Sequence, residues 1–587
     1  MYLNSSSLLV RLKADFTTHL HRLLKPFFPV QSRKLNPFRF TNADKESQQN
    51  VKTASRTIAS CISSLEFESV TKRRPKSIAV FNKISILFVA TCCVALASAK
   101  AATWYVDSAA KGNPNGTSWA NAWTAVNQIK GVSPGDTVYF SGGPSGSSQI
   151  YPLNGNSWYM VNGNSASYPT TYEIGQDALH NGTAIFQSSN GGEWLAGNDA
   201  INTRNLVISG DAGDGQMHFL ISGYARMAYG ENIQNWHISY VNCGQIAEGA
   251  TINPANGIEI DHCYFYITDL NADHVISAHF SGSTWDENSI HHCTIYAPNT
   301  TTGLGPDFFQ GNGSGGFSFY SNICIGYLAS YSGSQHQDGW QGLGNSSYIK
   351  IHDNLFVDMA NYPIFGDAYI GGFSHVRVYN NTCYLSYAAM AAGNAPQAGG
   401  LGVDSGYIGA QPCVFDDVIV SNNIAVDYKN HLTFGLGNIT ANLAVFTNCF
   451  VINNVSLNSG NINTPNAGNT VVQNNISLTR EQGAANFVSY VEFGGLNNDL
   501  RPTSALLNAL SAGSNLQVNL NPGNSVAPVN AAPAQPVSPT PVGSSSSTTP
   551  SSVPSSPAPS DTTPTTPSTP PSNSASPQGP KRTTGPG

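Results

Sequence analysis

The sequence predicts an all-β solenoid, a stack of coils built from strands and tight turns. Two observations carry that prediction. First, one short pattern returns nine times: a few alternating apolar residues, then Asn or His, then small or apolar residues. The instances are ISYVNC (238–243), IEIDHC (258–263), SIHHCTI (289–295), SFYSNICI (318–325), IKIHDNLFV (349–357), VRVYNNTCYL (376–385), VIVSNNIAV (418–426), VINNVSL (451–457) and VVQNNISL (471–478). With Asn242, His262, His292, Asn322, Asn354, Asn381, Asn423, Asn454 and Asn475 as the marker, the steps are 20, 30, 30, 32, 27, 42, 31 and 21 residues. A strand-like repeat of this length, with no helical period between instances, marks coils that stack on one another. Second, charged residues are only 10% and glycine numbers 56, a composition of strands and turns.

Asn suits the marker because it tolerates the left-handed region and hydrogen-bonds locally. Stacked in register, each amide can also bond the turns above and below, giving a buried polar ladder in which every amide is satisfied. These asparagines are therefore structural. On these residues the chain resembles the right-handed parallel β-helix proteins of the pectate-lyase-like superfamily, with their internal asparagine ladder. The resemblance covers about residues 102–520. It implies the fold more strongly than the activity.

Taken in order, residues 1–77 are basic and carry no sustained period, as a mis-assigned start or a long leader would. Residues 78–101, preceded by the basic residues 72–76, have the layout of a signal peptide, with the apolar run Ile84–Ala97 and small residues at Ala97-Ser98-Ala99. Residues 102–522 form the β-helix. At its start, Trp119, Ala122, Trp123, Val126 and Ile129 fall at helical spacing and Gly131 follows, predicting a capping helix over the open apolar end. This segment resembles the N-terminal cap of secreted β-helix proteins, and its tryptophans read as the plug. Residues 144–235 are the first, less regular coils. Their aromatic surplus (Tyr151, Trp158, Tyr159, Tyr168, Tyr172) suits either loop cores or sugar stacking. Residues 494–516 resemble the closing segment that covers the C-terminal end. Residues 523–587 are almost wholly Pro, Ser, Thr, Ala and Gly, which predicts a disordered tail or stalk.

Charge is uneven. Of 27 Lys and Arg, 16 lie in residues 1–100, and of 34 Asp and Glu, 5 do. The remainder carries 11 basic against 29 acidic residues, a charge near −18. That argues against nucleic acid and anionic lipid as partners. Seven cysteines lie beyond residue 100, with no CxxC pair. They read as a stack of small buried residues; Cys263 and Cys293 reach disulfide distance if the coils are in register.

Chemistry is predicted on a second strand track, in DHVIS (273–277), DFFQG (307–311) and HQDGWQG (336–342). Asp273, Asp307 and Asp338 are spaced 34 and 31 residues, close to the coil length, with Gln310 and Gln341 three places on in two of the coils. IFGDA (364–368), with Asp367, follows on the next coil. Stacked carboxylates repel, so they call for a cation, a shared proton or a purpose. Three readings remain open. The carboxylates cap local backbone; or Asp273, Asp307, Asp338 and Asp367 ligate Ca²⁺; or Asp307 and Asp338 work as acid and base. His336-Gln337-Asp338-Gly339-Trp340-Gln341 holds a titratable His, a carboxylate, an aromatic and an amide. It is similar to segments of β-helix proteins related to polysaccharide lyases and epimerases. Lys350 and Arg377 each stand four residues before a ladder Asn, so they stack on adjacent coils; solvated side chains or cations for a uronate both fit them.

The catalytic candidates are thus Asp338, His336, Asp307, Lys350 and Arg377, and the substrate-binding candidates Trp340, Gln341 and Gln310. The resemblance implies a secreted or cell-surface polysaccharide lyase-like monomer acting on uronate-containing glycans, with Ca²⁺ as the implied cofactor and no integral membrane segment after signal cleavage. A non-catalytic glycan-binding or adhesin-type β-helix is the alternative, and an inverting hydrolase with stacked aspartates the second. The G-H-G and R-I-K motifs of polygalacturonases are absent, and Asp416-Asp417 enters a ladder strand.

Overall fold

In this computed structural model the structure describes residues 101–503, apart from 154–156, 159, 161–162, 164–165, 198–203, 268–273, 298–305, 327–336, 360–361, 368–370, 387–400, 405–412, 429–433, 437–443, 461–468 and 495–497. The expected leader, signal peptide and tail lie outside these residues. Among the described residues no helix is long and apolar enough to cross a membrane.

The chain is a right-handed parallel β-helix with three rows of strands. One coil shows the plan: Asp307–Asn312 in row one, Gly315–Tyr320 in row two, a tight turn, then Ile323–Ile325 in row three. The next coil repeats it with Trp340–Leu343, Ser346–His352 and Leu355–Val357, each paired parallel and in register with its predecessor. Rows one and two share a sheet because Glu248–Asp261 runs through both. Alternation sets the faces. In row two, Ile258, Ile260, Ile290, Phe317, Phe319, Ile349 and Ile351 point into the core, and the residues between them face out. Aromatic rings fill the coil interior, with Phe309 on Phe317 at 4.6 Å and Phe280 on Phe317 at 4.7 Å. In the first coils Tyr151, Trp158 and Tyr172 are buried, so they pack the core; Tyr168 is exposed, and Tyr159 is outside the described residues.

The turn between rows two and three carries the ladder. Asn354 Oδ1 accepts the Asn322 N–H at 3.0 Å and its amide at 3.2 Å, and Asn354 in turn donates to Asn381 Oδ1 at 2.9 Å. The same geometry continues through Asn423, Asn454 and Asn475. At the upstream end the register differs from the marker read in the sequence. Thr294 pairs with Ile323 and Tyr264 with Thr294, so the ladder positions there are Cys293 and Cys263. The Cys293 N–H donates to Asn322 Oδ1 at 3.0 Å. His262 and His292 sit one place earlier, in the file of left-handed residues that continues through Ser321, Asp353, Asn380, Asn422, Asn453 and Asn474, with φ between 50 and 58°. Asn242 lies two places past its file member, Tyr240, which also has positive φ. Histidine and asparagine both tolerate this conformation, which is why a pattern of Asn or His straddles two files. Cys243, Cys263, Cys293, Cys324, Cys383 and Cys449 are buried free thiols.

Both ends differ from expectation. The predicted N-terminal capping helix is replaced by two 3₁₀ turns, Trp119–Asn121 and Val126–Gln128. The cause is Trp123, whose backbone joins the edge strand Thr103–Val106: its N–H donates to Tyr105 O at 3.0 Å and its carbonyl accepts from Asp107 N at 2.8 Å. The Asn121 and Asn115 side chains pin the preceding loop by accepting the N–H groups of Asn113 and Thr117. The plug survives the change, with Trp123 1% exposed and stacked on Trp104 at 5.2 Å. At the other end, the helix α1 (Arg480–Asn486) and the antiparallel pair Phe487–Ser489 and Asp499–Pro502 lie on the outer flank of row three. Phe487, Tyr490 and Leu500 pack there on Tyr384, Val426, Val455 and Leu457. The described part of the expected closing segment thus covers a side, where row three has apolar outward residues, and 504–516 lie outside the described residues.

Candidate functional site

The carboxylates predicted on the second track begin row one, and two of them are internal. Asp338 is 0% and Asp307 4% exposed. Asp307 Oδ1 accepts the Asp338 N–H at 2.8 Å, and Asp338 Oδ1 accepts the Tyr362 N–H at 2.8 Å. Each carboxylate therefore ties its rung to the next. Gln310 Nε2 donates to Gln341 Oε1 at 2.8 Å and faces Asp307 Oδ2 at 3.4 Å. Trp340, read as a sugar platform, is a core residue, 3% exposed and parallel to Phe309 at 6.2 Å. Apolar alternation in row one puts it there, next to the outward-alternating glutamines. The register pairs His274 with Asp307, and Asp367 with Leu343 and Asp404, so Asp367 is off the Asp338 file. Asp273 and His336 lie outside the described residues.

Among the described residues, Asp307, Asp338 and Asp367 do not fit Ca²⁺, which needs several oxygens converging on one point. Here carboxylate oxygens are turned onto backbone N–H groups between rungs, and Gln310 offers an N–H where a ligand oxygen is required. Among the described residues no group of three or more His, Cys, Asp or Glu side chains is placed to hold a metal ion.

Lys350 and Arg377 sit elsewhere, on the outer face of row two, in register with each other. Row two carries a groove of about 530 Å³ lined by Glu259, Asp286, Tyr320, Lys350, His352 and Tyr379. Its floor follows from alternation: the outward file Glu259, Ser289, Ser318, Lys350, Arg377 runs beside the file Asp261, His291, Tyr320, His352, Tyr379. One wall is the loop between rows one and two, which supplies Trp285 and Asp286. Asp286 accepts from Ser318 Oγ and from Lys350 Nζ. Trp285 lies under both cations, 5.2 Å from Lys350 Nζ and 5.4 Å from the Arg377 guanidinium carbon. Arg377 Nη2 also holds both Asp417 oxygens, at 2.8 and 2.7 Å.

The second file is a column of rings. His291 on Tyr320, Tyr320 on His352 and His352 on Tyr379 stack at 4.5, 4.9 and 4.6 Å. Face-to-face stacking leaves ring edges, with their N–H and O–H groups, for a ligand. His352 Nδ1 is held by Asp353 Oδ2 at 2.8 Å. Burial pushes the Tyr320 phenol up to about 12, helped by Glu259, Asp261 and Asp286. Burial does the same to Tyr379, also to about 12, with Asp353 and Asp286 adding. The carboxylates go the other way. The His291 hydrogen bond holds Glu259 below the usual range. Burial works to raise Asp286, but its bonds from Lys350 and Ser318 overcome that and hold it low. Both stay ionised at neutral pH.

Of the predicted residues, Lys350 lines the groove and Arg377 stands in register beside it on the next rung, while Asp307, Asp338, Gln310, Gln341 and Trp340 stay on row one. Sequence reasoning missed Glu259, Asp286, Tyr320, His352 and Tyr379. All but Asp286 stood at the outward positions of the ladder strands, two and four places before the ladder residue, in the same strands that supplied the repeat.

No family model and no curated protein matches the chain. Several solved structures do. An alginate lyase from Paenibacillus sp. str. FPU-7 is 12% identical, with 60% of this chain and 97% of that one covered and a TM-score of 0.31. An endo-xylogalacturonan hydrolase from Aspergillus tubingensis is 8% identical, with 65% and 94% covered and a TM-score of 0.34. PfbA, a surface adhesin of Streptococcus pneumoniae, is 10% identical, with 60% and 84% covered and a TM-score of 0.28.

Proposed function

We propose that the protein is a secreted, carbohydrate-active β-helix whose row-two groove takes a uronate-containing glycan and cleaves it by β-elimination. One observation carries this reading: two in-register cations, Lys350 and Arg377, lie beside the Asp353-held imidazole of His352 and between phenols that stay protonated. β-Elimination needs that set. A cation neutralises the uronate carboxylate, a base removes the proton at C5, and the C4–O bond breaks as the C4–C5 double bond forms, with a proton delivered to the leaving oxygen. Lys350 and Arg377 supply the charge, His352 Nε2 the base, and the Tyr379 or Tyr320 hydroxyl the proton.

A glycosidase would need one carboxyl raised so that it stays protonated near neutrality. Glu259 and Asp286 are both held low, which favours the lyase over the hydrolase. The inverting-hydrolase arrangement on Asp307 and Asp338 is disfavoured because each spends an oxygen on the backbone of the next rung. The non-catalytic, adhesin-type reading has one observation in its favour. Lys350 and Arg377 are already paired with Asp286 and Asp417, so a glycan carboxylate must compete with a resident partner.

The test is incubation with a panel of acidic and neutral polysaccharides, following both unsaturated-uronate absorbance and reducing ends. Absorbance and ends rising together support the lyase. Ends without absorbance overturn it in favour of hydrolysis, and binding without either product leaves a binding module.

A further inference from the structure

Upstream of the groove, row two carries four histidines packed around two carboxylates, none of which the proposed cleavage uses. Asp261 accepts from His237 Nε2 at 2.7 Å and from His262 Nδ1 at 2.6 Å. Glu259 is bonded to His291 Nε2 at 3.1 Å, and His291 Nδ1 meets His292 Nδ1 at 2.8 Å. The rings of Tyr240, His262 and His292 stack at 4.6 and 4.9 Å with interplanar angles of 6 and 5°. The cluster is continuous with the groove, because Glu259 lines it and His291 stacks on Tyr320. It is also open: His237 and His262 side chains are 38% and 39% exposed, and His292 is exposed.

We propose that His237, His262, His291 and His292, gathered around Asp261 and Glu259, form a second subsite that binds the carboxylate of an acidic sugar and opens as pH falls. This rests on the reading of the groove as a site for acidic glycans.

The argument is one of hydrogen-bond polarity. Stacking occupies the ring faces, so only the edges can meet a ligand. His262 uses Nδ1 on Asp261 and His292 uses Nδ1 on His291, which leaves Nε2 of each ring without a partner among the described residues. With Nδ1 donating to Asp261 and the ring neutral, His262 Nε2 is a lone pair that repels a carboxylate. After protonation it is an N–H donor on a cation and attracts one. Electrostatics point the same way. Glu259 and Asp261 are held ionised by their histidine partners, and Asp286 faces the cluster across Tyr320, as Asp211 faces Tyr240. With the imidazoles neutral this surface is anionic and rejects an acidic polymer; each proton taken up cancels one of those charges. Burial works against protonation of His237, but its bond to Asp261 outweighs that and raises it above the ordinary imidazole value. His292 is lowered, by burial and by His291 and His262 beside it.

The left-handed file supplies clean variants. His262 and His292 occupy positions that Asn380, Asn422, Asn453 and Asn474 occupy on later rungs, all with φ near 50–58°. His262→Asn and His292→Asn therefore keep a residue the backbone accepts and remove the titrating ring. The experiment is calorimetric binding of oligogalacturonate and of a neutral galactan to the full chain from pH 8 to pH 5, with circular dichroism confirming the fold of each variant. The wild type should bind oligogalacturonate about tenfold more tightly at pH 5 than at pH 8, a Coulomb gain of the size expected for a partly screened contact. The double variant should lose most of that gain while binding equally at pH 8, and the galactan should show no trend. Equal pH slopes in the wild type and the variant overturn the subsite alone. Absence of oligogalacturonate binding at every pH overturns it together with the groove reading.

Discussion

Replacing Asn354 by Leu tests the ladder where its bookkeeping is most complete. Asn354 is 1% exposed and makes four side-chain bonds. Its Oδ1 accepts from Asn322 N at 3.0 Å and Nδ2 at 3.2 Å, and its Nδ2 donates to Phe319 O at 2.8 Å and Asn381 Oδ1 at 2.9 Å. Leucine is close in size, so the loss is of hydrogen bonds rather than volume. Asn322 Nδ2 keeps Ile290 O, and Asn381 Oδ1 keeps the Asn354 N–H. The Asn322 N–H keeps nothing and is buried, which costs about 1–3 kcal/mol, with about 1 kcal/mol more for the bonds merely weakened. The expected loss is therefore about 2–4 kcal/mol. Denaturant midpoints measure it, beside Asn190→Ala at an exposed site, which should stay within about 0.5 kcal/mol of wild type. Amide exchange localises it, since protection should fall at Asn322 first. Equal midpoints for the two variants, with the Asn322 amide still protected, would falsify the ladder account.

Other outcomes follow from the same geometry. Cys293→Asn extends the ladder by one amide where the Cys293 N–H already meets Asn322 Oδ1, so it should be neutral or stabilising; a midpoint drop equal to that of Asn354→Leu would count against the register. Trp340→Ala should destabilise by about 3–5 kcal/mol, as for a large core ring, while the folded fraction still binds glycan. Loss of binding in a fully stable Trp340→Ala protein would restore the sugar-platform role. Lys350→Gln should lower the rate on a uronate polymer by about tenfold or more with an unchanged midpoint, the loss expected for a charge-assisted contact; an undiminished rate would move the chemistry off row two. Asp427 binds the Tyr490 hydroxyl at 2.6 Å and the Phe493 N–H at 2.7 Å, and burial raises it above the usual carboxylate range despite these bonds. A raised carboxyl stabilises fully below its unfolded value, about 3.9, and loses that contribution as pH rises through its folded value. Exchange at the Phe493 amide, corrected for its intrinsic rate, should therefore quicken with rising pH in the wild type and stay flat in Asp427→Asn.

The repeat was readable because a ladder residue must be buried, polar and turn-compatible on every coil, and few residue types satisfy all three. It was misread by one place at His262 and His292 because the adjacent left-handed file accepts the same types. Of the charged track at coil-length spacing, Asp307 and Asp338 share a file and Asp367 does not, and spacing alone does not say which face a file takes. Asp307 and Asp338 were turned inward onto the N–H groups of Asp338 and Tyr362, a satisfaction that depends on the rung above. Lys350 and Arg377 could be placed because scarce cations in register are conspicuous. Tyr320, His352 and Tyr379 could not, since rings in a strand read as core until the register shows them stacked on the outside. The capping helix failed for a similar reason: helical spacing around Trp119 was outweighed by a sheet edge that needed the backbone of Trp123.

The rungs also set how the molecule would bear load. Hydrogen bonds between coils run along the solenoid axis, and each coil touches chiefly the one before and the one after. Tension applied between Thr103 and Leu478 therefore does not strain the fold evenly but peels it one turn at a time. Freeing the coil from Asn322 to Asn354 would release 32 residues, a contour length of about 110 Å at full extension. Coils of 21 to 42 residues would yield a sawtooth of unequal teeth, in which the spacing of each tooth reports the length of its loop and the height reports the ladder that closed it.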